Sequence, residues 1–168
     1  MIRRRDLSTI RIIFYDFDGV FTDNHVLVDS NGIEHVRCSR LDGFGISRLR
    51  SMGVLQLIVS TEINPVVSRR AEKLLLPVHQ SVEDKAEVVA KVCAEHGILL
   101  EHAAFVGNDI NDIDAMKAVG IAFAVADAFP PVLEHADFIT IRLGGHGAVR
   151  EICDLIGDAI EAARSPGS

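Results

Sequence analysis

Short apolar runs alternate along this chain with longer stretches in which apolar residues recur at helical spacing. Residues 12–15 (Ile-Ile-Phe-Tyr), 54–59, 103–106, 121–125 and, more weakly, 138–141 read as strands. The first is continuously apolar rather than alternating, as expected of a strand covered on both faces. Residues 43–52, 65–75, 84–96 and 112–119 read as helices. Asn64-Pro65 offers an N-cap followed by a proline in the first turn, and Gly97 and Gly120 stand where two helices should stop. This βα order predicts an α/β fold, a parallel sheet with helices on both faces. One segment breaks the alternation. Val26-Leu27-Val28-Asp29, Ser30-Asn31-Gly32 and Ile33-Glu34-His35-Val36-Arg37 read as a β-hairpin insert over about 24–38, with Asn-Gly suited to the positive backbone angles of a tight turn. A hairpin there serves either as a flap over a site, as a pairing surface for another subunit, or as a surface ornament.

Length and composition narrow the class. A chain of 168 residues fits one domain with its own core. The domain is expected over 1–164, with 165–168 (Ser-Pro-Gly-Ser) as a flexible tail. Hydrophobic content of 48% and a mean hydropathy of +0.25 fit a globular protein rather than a disordered one. No apolar run approaches the roughly 20 residues that cross a bilayer. Met1-Ile2-Arg3-Arg4-Arg5-Asp6 lacks the apolar stretch of a signal peptide, so a cytoplasmic location is expected. Cys38, Cys93 and Cys153 are odd in number and far apart, which argues against a disulfide framework and against a zinc site. A formal charge of −7 provides no general attraction to nucleic acid or anionic lipid.

Chemistry enters at the strand ends. Asp16 and Asp18 flank Phe17 where the first apolar run stops and Gly19 begins, and the carboxyl end of a strand is where open α/β sheets bind ligands. Two adjacent acids repel unless a cation or a shared proton compensates, so the pair asks for a divalent metal or acid/base work. Asp-Gly after an apolar run is also a common turn signal. Phe105-Val106-Gly107-Asn108-Asp109-Ile110-Asn111-Asp112 repeats the arrangement at the same end of the sheet. Asp109 and Asp112 could share a helix face there, and capping alone would explain one of the two. Ser60-Thr61 ends the 54–59 strand with hydroxyls and backbone N–H groups suited to a phosphate oxygen. Lys85 opens the 84–96 helix, where a cation opposes the helix dipole. That local misplacement favours a functional lysine over a solvated one. The seven histidines show no i, i+4 metal pair; His146, inside the glycine-rich 144–147 segment, is the one to watch.

The ordered set Asp-x-Asp, Ser/Thr, Lys and an acidic strand end resembles the haloacid dehalogenase superfamily of phosphohydrolases. The similarity continues through Gly144-Gly145-His146-Gly147-Ala148-Val149-Arg150-Glu151 and so covers almost the whole chain. The hairpin insert, Asp42-Gly43-Phe44-Gly45-Ile46 and that glycine-rich tail resemble the small, capless branch. It holds the 3-deoxy-octulosonate 8-phosphate phosphatases, the nonulosonate 9-phosphate phosphatases and the phosphatase-like module of some acylneuraminate cytidylyltransferases. The resemblance implies a Rossmann-like fold and an Mg²⁺-dependent phosphomonoesterase. Asp16 would be the nucleophile, Asp18 the general acid and then base, Ser60 a phosphoryl hydrogen-bond donor with Thr61 as its alternative, and Lys85 the neutralising cation. Metal ligands would come from Asp16, Asp18 through its carbonyl, and the Asn108, Asp109, Asp112 corner. Relatives usually carry Gly-Asp where this chain has Gly107-Asn108. Glu62, with Arg70 and Lys73 one helical turn apart, implies a nonulosonate-type sugar acid in preference to an octulosonate; Arg70 and Lys73 also suit a solvated helix face. Members of the branch form tetramers, so residues 26–37 and 144–150 are expected to close a neighbour's site. A rival from another class is a non-catalytic module with a cytidylyltransferase partner. A third reading keeps the chemistry but changes the substrate, as in a phosphomutase or a phosphatase of unrelated small metabolites.

Overall fold

Strand β1 (Ile12–Tyr15) is apolar on both faces because it lies at the centre of the sheet, and all four of its residues are buried. The computed structural model describes residues 6–165; the arginine-rich start and residues 166–168 of the expected tail lie outside the described residues. Along the described chain, β1 leads to a hairpin of β2 (Leu27–Val28) and β3 (Glu34–His35), then α1 (Leu41–Ser51) and β4 (Leu55–Val59). There follow α2 (Val66–Leu74), β5 (Val78–His79), α3 (Lys85–Glu95), β6 (Ala103–Gly107), α4 (Ile113–Ala118) and β7 (Ile121–Ala124). The chain closes with α5 (Pro130–Leu133), β8 (Phe138–Ile139) and α6 (Ala148–Arg164).

Six strands form one sheet in the order β5-β4-β1-β6-β7-β8, every neighbouring pair parallel, while β2 and β3 pair antiparallel outside it. The chain moves outward from β1 to β4 and β5, then returns to β6 and moves outward the other way. Right-handed crossovers therefore place the helices of the two halves on opposite faces. Consistent with this, α1 packs on α6, and α3 packs on α4. The α1/α6 side is fixed to the sheet through buried polar groups. Tyr15 OH donates to Gln56 Oε1 at 2.9 Å, and Gln56 Nε2 donates to the Ile46 carbonyl, also at 2.9 Å. The reversal of strand order falls between β1 and β6, the point at which such sheets open a ligand crevice at their carboxyl ends.

Several local expectations are corrected. Helix α6, 17 residues long, stands where none was expected; its buried Val149, Ile152, Cys153, Ile156 and Ile160 carry the helical spacing. Strand β5 and helix α5 also went unpredicted, being two and four residues long. Gly120 is not a left-handed helix stop. It lies two residues beyond α4, and a β-carbon there would meet the Glu101 carbonyl oxygen at 2.0 Å, so close approach to backbone is what requires glycine. The hairpin turn places only Gly32 at positive φ (79°), with Gly32 N–H donating to the Asp29 carbonyl at 3.0 Å. Asp29 Oδ1 accepts the N–H groups of Asn31 and Ile33, closing the turn in place of a doubly left-handed pair.

Candidate active site

Three chain segments leave the carboxyl ends of adjacent strands together: Asp16 after β1, Ser60 after β4 and Asn108 after β6. Lys85, the first residue of α3, joins them. Asp84 caps that helix by accepting the Glu87 N–H, and the Lys85 side chain turns inward and is almost fully buried. Its Nζ lies 2.7 Å from Asp16 Oδ1 and 2.7 Å from Asp112 Oδ1. The cation that local helix electrostatics disfavours is thus held by two buried carboxylates.

Burial pushes the Asp16 carboxyl up to about 7, helped by the negative charge of Asp112 and opposed by Lys85. Burial likewise works against the Lys85 charge, but Asp16 and Asp112 outweigh it and hold the ammonium above its ordinary range. Two carboxylates share one ammonium, so the charge left over is balanced either by a proton on Asp16 or by a further cation. Asp18 is half-buried; burial, then Glu62 and more weakly Glu34, raise its carboxyl, against the Thr22 hydroxyl and Lys85. A carboxyl raised this way keeps its proton closer to neutral pH, which suits proton donation.

Asp109 and Asp112, paired by sequence as possible metal ligands, part company in the structure. The turn Ile110–Asp112 points Asp112 into the core, where its Oδ2 accepts the N–H groups of Asn108 at 2.8 Å and Asp109 at 3.2 Å. Asp109 is exposed, and its carboxylate caps the same turn by accepting the Ile110 N–H. Both Asp112 oxygens are therefore committed, one to Lys85 and one to backbone. Asn108 is the group that remains: it is buried, and its Oδ1 has no hydrogen-bond partner among the described residues. The amide sits against the Asp18 turn, since a β-carbon on Gly19 would lie 2.0 Å from its Nδ2.

Ser60 is buried, and its hydroxyl oxygen accepts the Glu62 N–H at 3.1 Å, which leaves the hydroxyl proton to donate; Thr61 is exposed. Glu62 Oε1 accepts the N–H groups of Ile63 and Asn64, and Asn64 Nδ2 in turn donates to Glu34 Oε2 at 3.1 Å. The hairpin is thereby tied to the loop after β4, a link no sequence spacing shows. Arg70 and Lys73 do not join this group within one chain. They line a separate groove with Arg40, Gly43, Phe44 and Ser47, and Arg70 Nη2 donates to the Ser39 carbonyl at 2.9 Å. Sequence reasoning missed Thr22, wholly buried beneath the Asp18 turn, whose hydroxyl lies 3.4 Å from Asp18 Oδ1. Among the described residues no cluster of three His, Cys, Asp or Glu side chains is placed to hold a metal by itself.

Residues 60–152 match the family model for haloacid dehalogenase-like hydrolases. Among curated proteins, the 3-deoxy-D-manno-octulosonate 8-phosphate phosphatase of Salmonella typhi is 33% identical over 150 residues, covering 89% of this chain and 80% of its own. A Streptomyces avermitilis structure assigned to HAD family hydrolases superposes with a TM-score of 0.88 at 42% identity, covering 92% of this chain and 89% of that one. The octulosonate 8-phosphate phosphatase of Moraxella catarrhalis, in complex with a magnesium ion, a phosphate ion and a KDO molecule, superposes with a TM-score of 0.89. It is 29% identical, over 95% of this chain and 94% of that one.

Proposed function

The chain belongs to the haloacid dehalogenase-like hydrolases and is a phosphatase of their capless branch, and from that premise we propose that it hydrolyses a keto-sugar acid phosphate through a phosphoryl group carried on Asp16. The observation that carries the reading is the convergence of Asp16, Lys85, Ser60 and the unpartnered Asn108 Oδ1 at the carboxyl ends of β1, β4 and β6.

The donor set fits Mg²⁺: a buried carboxylate in Asp16, a buried amide oxygen in Asn108 without a partner among the described residues, and the Asp18 backbone carbonyl, all hard oxygen ligands. When bound, the cation would offset the charge between an incoming phosphate dianion and the Asp16 carboxylate. Asp112 is left out of the proposed ligand set because both of its oxygens already serve the backbone and Lys85, and Asp109 because its exposed side chain turns away to cap the 110–112 turn. In the proposed reaction, Lys85 grips one Asp16 oxygen and leaves the other to attack phosphorus. The sugar–oxygen bond to phosphorus breaks, and Asp18 gives its proton to the departing alkoxide. Asp18 then takes a proton from the water that attacks the acyl phosphate, restoring Asp16 and releasing inorganic phosphate. In this reading the Ser60 hydroxyl and the Lys85 ammonium donate to the phosphoryl oxygens, with Thr61 a weaker candidate because its side chain is exposed.

For the sugar, we favour a nonulosonate 9-phosphate. The support is Glu62, a carboxylate near Asp18 that accepts hydroxyl or amide hydrogens and repels a second carboxylate. An octulosonate 8-phosphate is the second reading, favoured by what the curated relatives are named for. Exposed Val26, Leu27, Val28 and Ile33 on the hairpin support a homotetramer, since a lone two-stranded hairpin with apolar side chains in water is marginal. In such an assembly Arg70 and Lys73 would meet the sugar carboxylate of a substrate held by a neighbouring copy. Rates of Mg²⁺-dependent phosphate release on N-acetylneuraminate 9-phosphate, its deaminated analogue and 3-deoxy-octulosonate 8-phosphate test the assignment. A higher kcat/KM on either nine-carbon ester is expected; preference for the eight-carbon ester would replace the first reading with the second, and release from none would remove both.

A further inference from the structure

The glycine-rich segment 144–147 lies against the turn of its own chain that carries Asp18. Gly145 N–H donates to the Val20 carbonyl at 3.0 Å. A β-carbon on Gly144 would stand 1.8 Å from the Gly19 carbonyl oxygen, and one on Gly145 would stand 2.4 Å from Asp23 N and 2.5 Å from the Thr22 carbonyl carbon. These neighbours are backbone atoms, which cannot swing aside as a side chain can; admitting a methyl group means moving the turn that carries Asp18.

The segment is held from several directions. Asp127 Oδ1, from the loop after β7, accepts the Gly144 N–H at 2.8 Å. The His146 ring Nδ1 lies 2.8 Å from the Gly144 carbonyl. Arg37, at the hairpin base, pairs with Asp23 at 2.7 Å and lies 3.4 Å from the other ring nitrogen of His146. Inside the turn, the Thr22 hydroxyl accepts the N–H groups of Gly19 at 3.0 Å and Asn24 at 3.1 Å while facing Asp18. The aim of the Asp18 carboxyl is thus set by a turn whose outer side is clamped by two glycines.

We propose that Gly144 and Gly145 are positioning residues for the acid/base: they form a strap that presses the Gly19–Thr22–Asp23 backbone into the one arrangement that points Asp18 at the leaving oxygen. The proposal rests on the reading of Asp18 as proton donor. Proton donation matters for an alkyl ester, whose alkoxide is a poor leaving group, and little for an aryl ester such as 4-nitrophenyl phosphate. Displacement of the donor therefore has a signature that loss of stability lacks.

The test sets Gly145→Ala beside Gly97→Ala. Both glycines have left-handed backbone, φ +69° and +65°, but a β-carbon at Gly97 meets nothing within 4 Å, so the two share the conformational penalty and differ in the collision. Expected for Gly97→Ala is kcat within about twofold of the parent on both esters, whatever its melting temperature. Expected for Gly145→Ala is an alkyl-ester kcat/KM at least about tenfold further down than the aryl-ester kcat/KM, as follows from displacing a catalytic group by a fraction of an ångström; kcat/KM reports the transfer to Asp16 and not the later hydrolysis that both esters share. Should Gly145→Ala fail to fold, Asp127→Ala removes the anchor of Gly144 and should show the same selectivity in smaller measure, with Asp127→Asn, which keeps the acceptor oxygen, restoring it. Equal losses on the two esters, no loss, or losses that follow melting temperature would overturn the strap. If Asp18→Asn shows no alkyl-selective loss of kcat/KM, the acid/base reading has failed and the strap falls with it; if only the strap variants lack it, the reading stands and the strap alone is wrong.

Discussion

Lys85 sets the charge balance of the site, because its ammonium is the one cation in contact with the two buried carboxylates of Asp16 and Asp112 among the described residues. Removing it leaves both uncompensated in a medium that solvates charge poorly. Lys85→Met is expected to lose about 3–5 kcal/mol of unfolding free energy in metal-free buffer and about 10²–10³-fold in kcat, read by urea denaturation and phosphate release; unchanged stability would show that the pair is solvated. Asn108→Asp adds a charged oxygen where the buried amide oxygen has no partner among the described residues. Its half-saturating Mg²⁺ concentration in the phosphatase assay should fall by roughly tenfold, since affinity follows ligand charge; an unchanged value would place the cation elsewhere. At this scale the sequence pointed to Lys85 through its awkward place at a helix start. It did not separate Asp109 from Asp112, because a single turn of backbone sends one outward and the other into the core.

The junction of α1 and α6 depends on Asp42, a wholly buried side chain in the first turn of α1. Its Oδ1 accepts the Arg150 N–H at 3.2 Å, one of the unpaired donors at the start of α6, while Oδ2 has no partner among the described residues. Burial pushes this carboxyl up to about 6, against the Arg150 N–H and the charges of Arg70 and Arg142. The folded chain then binds the Asp42 proton more tightly than the unfolded chain does, so it holds more protons between pH 4 and pH 6. Stability accordingly falls as pH rises through that window. The parent should lose roughly 3 kcal/mol relative to Asp42→Asn between those limits, measured by urea unfolding of both at each pH; parallel curves would mean that Asp42 is ionised throughout. Strands β1, β6 and β7, with four consecutive apolar residues each, and β4, broken only by Gln56, were legible because covered parallel strands need such runs. Two-residue β5 carries too short a pattern to see. Helix α6 was missed although its apolar spacing is regular; a glycine-rich segment precedes it, and Gly157 within it weakens the local helical signal.

Across the whole molecule, the hairpin stands apart from the main sheet with apolar side chains in solvent. Leu27→Glu should therefore shift light-scattering mass from a tetramer toward a monomer and weaken turnover of sugar-acid substrates more than turnover of 4-nitrophenyl phosphate; a parent that is already monomeric would contradict the assembly. The fold class and the ordered placement of Asp16, Asp18, Ser60 and Lys85 on one end of the sheet were readable because each follows a strand or opens a helix. The link from Asn64 to Glu34 and the seating of residues 144–147 on the turn that carries Asp18 were not, since they join segments with no shared periodicity. The central claim is that Asp16 carries the phosphoryl group, and trapping tests it most directly. Protein turning over a sugar-acid phosphate with Mg²⁺ is quenched in acid and reduced with borohydride, which converts an aspartyl phosphate to homoserine, and the peptide spanning residues 12–18 is sequenced by mass. Homoserine at position 16, dependent on both substrate and Mg²⁺ and absent from Asp16→Asn, is the predicted result; an unmodified Asp16 during full turnover, or an active Asp16→Asn, would contradict it.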